Sequence, residues 1–192
     1  MDLIFTEATH EYRHGEGGEV LPSVTGILKS EGYIDGDWYT EAARIRGTYV
    51  HKICHLHNIG DLDETTVDET LVGYYEAYLS FLAETQFVVE DSELLVHSDT
   101  YLFAGTLDIR GKFPGAKMKS VIDIKSGSIE PWVAIQLAGY TVCLPDPHER
   151  YSLQLTADGK YHLKQWKDRS DQGVFLGALA GFHWKNNNLK RR

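Results

Sequence analysis

Three residues near the middle of the chain have the types and spacing that phosphoryl chemistry needs. Asp123 and Lys125 stand two apart in Val121-Ile122-Asp123-Ile124-Lys125, and Asp108 precedes them in Thr106-Leu107-Asp108-Ile109-Arg110. A period of two sets Asp108 opposite Leu107 and Ile109 on its strand, and sets Asp123 and Lys125 opposite Ile122 and Ile124 on theirs. If the two segments pair as a hairpin, both carboxylates and the ammonium meet in one patch. Two carboxylates, helped by the backbone carbonyl of Ile124 and by water, can hold Mg²⁺ or Mn²⁺, which offsets phosphate charge and acidifies water. Lys125 adds a point charge that can orient or help deprotonate the attacking water. The chemistry implied is phosphodiester hydrolysis. An acid two residues before a lysine is common by chance, and Asp158-Gly159-Lys160 is a second case, but it falls in a turn with no acidic strand upstream. The competing reading of Asp108, Asp123 and Lys125 is a surface salt bridge on a two-sided sheet.

The elements that must position these residues follow from hydrophobic periodicity. Leu3 to Tyr12 and Glu19 to Leu21 read as a β-hairpin across His14-Gly15-Glu16-Gly17-Gly18. Pro22-Ser23 opens a short helix through Lys29. Asp37 to Asn58 reads as a longer helix bent or interrupted at Gly47, and Glu64 to Glu84 as another. The period then becomes two. Phe87 to His97 and Tyr101 to Gly111 read as paired strands, and Lys119 to Ser126 as a third after the Pro114-Gly115 turn. Val133 to Cys143 is helical, Tyr151 to Thr156 and Tyr161 to Trp166 form a hairpin across Asp158-Gly159, and a last helix spans Asp171 to Lys185. The fold class expected is α/β or α+β: a sheet flanked by helices, with helical additions at the front.

Composition sets bounds on function. The 192 residues suit a single domain, and 42% hydrophobic with 24% charged residues are globular values. No apolar run approaches the roughly 20 residues that cross a bilayer, and no basic leader precedes an apolar stretch, so a cytoplasmic protein without membrane attachment is expected. A net charge of −9 argues against general coating of nucleic acid, yet allows an enzyme with a local basic track. The two cysteines, Cys54 and Cys143, read as buried thiols and cannot supply a four-cysteine iron–sulfur cluster.

Beyond this chemistry, the chain resembles the PD-(D/E)XK nucleases of the RecB and phage recombination exonuclease type. The resemblance rests on Arg46-Gly47-Thr48-Tyr49-Val50-His51, Gly105-Thr106-Leu107-Asp108, Asp123-Ile124-Lys125-Ser126-Gly127 and Gln136-Leu137-Ala138-Gly139-Tyr140, in that order. His10-Glu11-Tyr12 and Pro22-Ser23-Val24-Thr25-Gly26-Ile27-Leu28 extend it toward the N-terminus. It implies a restriction-endonuclease-like core with a central mixed sheet. It also implies His51, Asp108 and Asp123 as metal ligands and Lys125 as the catalytic lysine. Gln136 and Tyr140, four apart on one helix face, would lie beside the site. Glu93 is a weaker candidate for a supporting acid. The activity implied is a Mg²⁺- or Mn²⁺-dependent DNA exonuclease in recombination or repair. A single-strand annealing protein is one implied partner, and a ring-shaped homo-oligomer is one implied assembly. No proline precedes Asp108, and no Gly-x-x-x-x-Gly-Lys-[Ser/Thr] loop occurs, so any helicase would be a separate chain. A structure-selective endonuclease and a catalytically silent nucleic-acid-binding module are the alternatives.

Other residues have blander readings. His55 and His57 are expected to be exposed or structural, since no set of ligands for zinc accompanies them. Asp61, Asp63 and Glu64 lack calcium-loop spacing and read as a solvated helix start. Tyr74, Tyr75, Tyr78 and Phe81 at helical spacing read as core. Arg44, Arg46 and Lys52 near His51, the Lys112, Lys117 and Lys119 group, and Lys190-Arg191-Arg192 are candidate phosphate contacts.

Overall fold

A computed structural model describes residues 3–6, 9, 11–15, 17–35 and 40–189. His10, Asp37 and the terminal Lys190-Arg191-Arg192, which figured in the sequence reading, lie outside the described residues. The chain begins with a small antiparallel sheet of β1 (Leu3–Thr6), β2 (Glu11–His14) and β3 (Val20–Leu21). The segment expected as one strand from Leu3 to Tyr12 is therefore two, because Leu3 folds back to pair with His14. Helix α1 (Val24–Ser30) is capped by Ser23, whose Oγ accepts from the Gly26 N–H at 2.9 Å. Ser23 also bridges to Ala104, fastening this segment to the main sheet.

Helix α2 (Glu41–Asn58) runs without a break through Gly47. A Cβ at Gly47 would make only ordinary contact with Ser126 Oγ, at 3.7 Å. The helix expected from Glu64 to Glu84 is divided into a single 3₁₀ turn (Glu64–Thr66) and α3 (Val72–Thr85). Asp63 Oδ1 accepts the Thr65 N–H and Asp68 Oδ1 accepts the Thr70 N–H, so local side-chain bonds compete with continuous helix.

Strands β4 (Val88–Ser98), β5 (Phe103–Lys112), β6 (Lys119–Lys125), β7 (His148–Leu155) and β8 (Tyr161–Trp166) form one sheet in chain order. All neighbours are antiparallel except β6 and β7, which are parallel and joined through α4 (Trp132–Val142). Helix α5 (Ser170–Asn188) follows β8. The result is a mixed five-stranded sheet flanked by helices, as expected. Both faces are covered. Val96, Phe103 and Val121 pack with residues of α1, α4 and α5, whereas Ile109, Ile122, Ile124 and Leu153 pack with residues of α2 and α3. Strand β6 is buried continuously from Ser120 to Ile124, as a strand covered on two faces must be.

One buried cation ties the α4–α5 layer to the sheet. Arg150 on β7 donates to the Ala134 carbonyl at 2.9 Å and pairs with Asp171 Oδ2 at 2.9 Å. Removing one partner of such a pair strands the other charge. Arg150→Ala should therefore lower the unfolding free energy by ~3 kcal/mol in urea titrations, and a change within error would show that this clamp contributes nothing.

Candidate active site

Strand register brings the acids together. β4 pairs with β5 through Ser92↔Ile109 and Leu94↔Leu107, which sets Glu93 level with Asp108. The β5–β6 ladder closes at Ile109↔Ile122, beyond which Asp108 comes level with Asp123. Three acids thus cross three neighbouring strands in a row. Glu93 has φ +52, a left-handed conformation costing a non-glycine residue roughly 1 kcal/mol, and such strain collects at functional positions.

Asp108 is held by both of its oxygens. Oδ2 accepts the Ile124 N–H at 2.6 Å, and Oδ1 lies 3.4 Å from His51 Nδ1 on α2. Asp123, only 2% exposed, has Oδ2 2.6 Å from Lys125 Nζ. The ammonium also lies 5.4 Å from the centre of the Trp132 ring. Burial of Asp123 removes the surface-salt-bridge reading: its face of β6 is covered rather than wet. The described contact of Ile124 is made by its N–H, a donor that sequence reasoning did not consider.

These groups shift one another's protonation. Burial, reinforced by the Asp108 charge, pushes Asp123 up to about 6 even though Lys125 opposes the shift. Burial and Asp108 likewise raise Glu93 to about 7 against the pull of His51. Burial would also raise Asp108, but His51, Lys125 and the Ile124 N–H together hold it below the ordinary carboxylate range. Burial would lower His51, yet the Asp108 charge and hydrogen bond lift it to about 9. Ligand atoms of His51, Glu93 and Asp108 lie within 4.8 Å of one another. One imidazole and close carboxylates, of which Asp108 is held ionised while Glu93 and Asp123 are pushed toward neutrality, are a donor set that fits a divalent cation.

A cleft of about 190 Å³ opens beside this group, lined by His51, Glu93, Asp108, Tyr12, Thr25 and Tyr140 among others. Gln136 on α4 donates from Nε2 to the Tyr140 hydroxyl at 3.1 Å and lies 3.3 Å from Thr25 Oγ1 on α1. Burial holds Tyr140 well above its ordinary value, so its hydroxyl stays neutral and can donate. Tyr12 reaches Thr106 Oγ1 at 2.8 Å. Gly105 is required here, because an added Cβ would stand 2.6 Å from Tyr140 Cε1.

No protein-family model and no curated protein matches the chain. Solved structures do match it. A protein from Eubacterium rectale assigned as an exonuclease aligns over 86% of this chain and 74% of its own, at 12% sequence identity and a TM-score of 0.50. An alkaline exonuclease from Laribacter hongkongensis aligns over 88% of this chain and 94% of its own, with 16% identity and a TM-score of 0.38. Its complex with dAMP aligns over 90% and 95% respectively, with 14% identity and a TM-score of 0.41. The likeness to the Eubacterium rectale protein is one of fold.

Other candidate residues are distributed unevenly. Arg44 is exposed and, seven residues before His51, shares its helix face; it pairs loosely with Glu41 at 3.6 Å. Arg46 turns instead to the Tyr74 ring, 5.9 Å away, and Lys52 is exposed. Lys117 and Lys119 lie toward the opposite end of β6 from Lys125, roughly 20 Å away for Lys119 at strand spacing, and Lys119 pairs with Glu90. The fold does not bring these two lysines to the acids. His55 and His57 bond Ser92 Oγ at 3.0 Å and the Tyr75 hydroxyl at 2.9 Å, structural contacts as expected. Tyr75, Tyr78 and Phe81 are core, also as expected, while Tyr74 is half-buried. Cys54 and Cys143 are free, and no helix among the described residues is long and apolar enough to cross a membrane. Glu93, a weaker candidate from the sequence, comes level with Asp108 through the bulge between Val89 and Asp91, which leaves no compositional mark.

Asp123, Glu93 and His51 all bind a proton more tightly folded than unfolded. The stability they contribute is complete below their ordinary values and is lost as pH rises through about 6, 7 and 9 respectively. Asp108 acts in the opposite sense, losing its contribution as pH falls through the acid range. In chelator, the free energy of urea unfolding should therefore decline between about pH 5 and 9, and Glu93→Gln should flatten the part below about pH 7. An identical slope in Glu93→Gln would place Glu93 outside the coupled group.

Proposed function

We propose that this chain is a Mg²⁺- or Mn²⁺-dependent deoxyribonuclease of the PD-(D/E)XK type that hydrolyses DNA from an end. The observation carrying the proposal is the clustering of Glu93, Asp108, Asp123, His51 and Lys125, of which His51, Glu93 and Asp108 line the adjoining cleft while Asp123 pairs with Lys125 beside it. His51, Asp108, Asp123 and the Ile124 carbonyl are assigned as ligands, with Glu93 joining them. The bound cation supplies charge neutralisation at the phosphate and acidifies water. Lys125 places its positive charge beside the scissile phosphate, and a neutral Tyr140 held by Gln136 offers a hydrogen bond to substrate from the cleft wall. Arg44, on the His51 face of α2, is assigned as a contact to the incoming backbone. The preference for ends, the role in recombination with a single-strand annealing partner, and a ring assembly rest on the family resemblance. An exonuclease assignment for a protein of like fold supports the first of these.

Purified Asp108→Asn, Asp123→Asn and Lys125→Ala proteins should stay folded and lose cleavage by ~100-fold or more, measured on end-labelled linear DNA with Mg²⁺ or Mn²⁺. Chelator should abolish activity, and covalently closed circular DNA should survive. Full activity in any of the three variants, or in thorough EDTA, overturns the assignment. Cleaved circles would make it an endonuclease, and binding without turnover a silent binding module.

A further inference from the structure

A second cluster of metal-ligating side chains lies away from the acids. His14 ends β2, His97 lies near the end of β4, and Asp99 lies in the turn that follows. His14 Nε2 is 3.3 Å from Asp99 Oδ1, and His97 Nε2 is 3.5 Å from the same oxygen. Ligand atoms of all three fall within 4.8 Å of one another. The two rings meet edge to face with centroids 5.1 Å apart. His14 Nε2 is shut off from solvent yet forms no directed hydrogen bond, despite its short distance to Asp99. Tetrahedral Zn²⁺ with ligands at about 2.0–2.2 Å holds neighbouring ligand atoms roughly 3.3 Å apart. Two of the three edges of the cluster already have that length, and three atoms around a common point without bonding one another is the arrangement a cation requires.

We propose that His14, His97 and Asp99 form a Zn²⁺ site that staples the N-terminal sheet to the β4–β5 hairpin. Two imidazole nitrogens and one carboxylate favour zinc over Mg²⁺, which prefers oxygen ligands in an octahedron. The exposure of Asp99, 72% against 18% for His14, leaves the fourth position open to water. The seam it closes is otherwise held by the Ser23–Ala104 bridge and the bond between Tyr12 and Thr106. Tyr12 lies two residues from His14 on the same face of β2 and lines the cleft, so zinc at this position fixes one wall of the cleft without touching the acids. The inference is independent of the proposed nuclease activity.

The test uses the full chain carrying His51→Ala and Asp108→Asn, stripped of metal and titrated with Zn²⁺ against a chromophoric zinc indicator. It should bind one Zn²⁺ per chain with a sub-micromolar Kd, and its thermal midpoint should rise by about 5 °C at a hundredfold excess over Kd. Adding His97→Ala or Asp99→Ala should weaken binding at least tenfold and remove the thermal shift. Asp99 is exposed, so that variant keeps its fold. If the double variant fails to fold, the same comparison is made in the wild-type chain, where Asp99→Ala should reduce bound Zn²⁺ by one per chain. Unchanged stoichiometry and thermal shift in both His97→Ala and Asp99→Ala, or no zinc bound at micromolar concentration, overturns the site.

Discussion

Where β5 and β6 part, the Ile124 N–H loses its ladder partner, and a buried donor left without an acceptor costs about 1–3 kcal/mol. Asp108 Oδ2 takes that proton at 2.6 Å. This contact fixes the carboxylate between two strands and directs its other oxygen toward His51. His51 first, then Lys125 and this N–H, keep Asp108 ionised in a setting where Asp123 and Glu93 are pushed toward neutrality. The orientation of Asp108, on which its pairing with α2 depends, thus rests on a backbone donor that the parting of the strands leaves free.

Helix α4 can bring Tyr140 to this point only because a side chain is missing where it meets β5. Gly105 gives the Tyr140 ring room, whereas a Cβ at Gly47 on α2 would make only ordinary contact with Ser126. Gly105 fits inside a regular strand as the place where another layer comes close. Gly47 is followed by an uninterrupted helical turn, which explains why it does not act as the breaker its residue type suggested.

The acid and lysine positions were readable in the sequence because alternation on Thr106–Arg110 and Val121–Lys125 isolates Asp108, Asp123 and Lys125 from their apolar neighbours. The alternation did not fix their environment. By itself it left the salt bridge on a wet face open, whereas Ser120 to Ile124 are buried under helices on both faces, a layer that only tertiary packing supplies. The place of Glu93 was hidden for a related reason: a bulge three residues upstream decides which residue faces Asp108. The split of the helix predicted from Glu64 was written in the Asp63–Thr65 and Asp68–Thr70 pairs, whose side chains satisfy local N–H groups, but apolar spacing outweighed them in the reading. His97 and Asp99 stand two apart, but His14 joins them only when the small sheet docks on the large one.

A row of three acids across adjacent strands opposes folding, because like charges directly opposite one another destabilise a sheet. The chain tolerates it through partial protonation, the positive charges of His51 and Lys125, and the Ile124 N–H. None of these devices fully neutralises the site. Hydrophobic layers on both faces hold the strands in register against the repulsion, so the packing that buries Ile109, Ile122 and Ile124 also keeps the carboxylates close. A less acidic row would fold more readily and bind a cation less well. The net charge of −9 has the same origin in part, since some of that acidity is concentrated in this row.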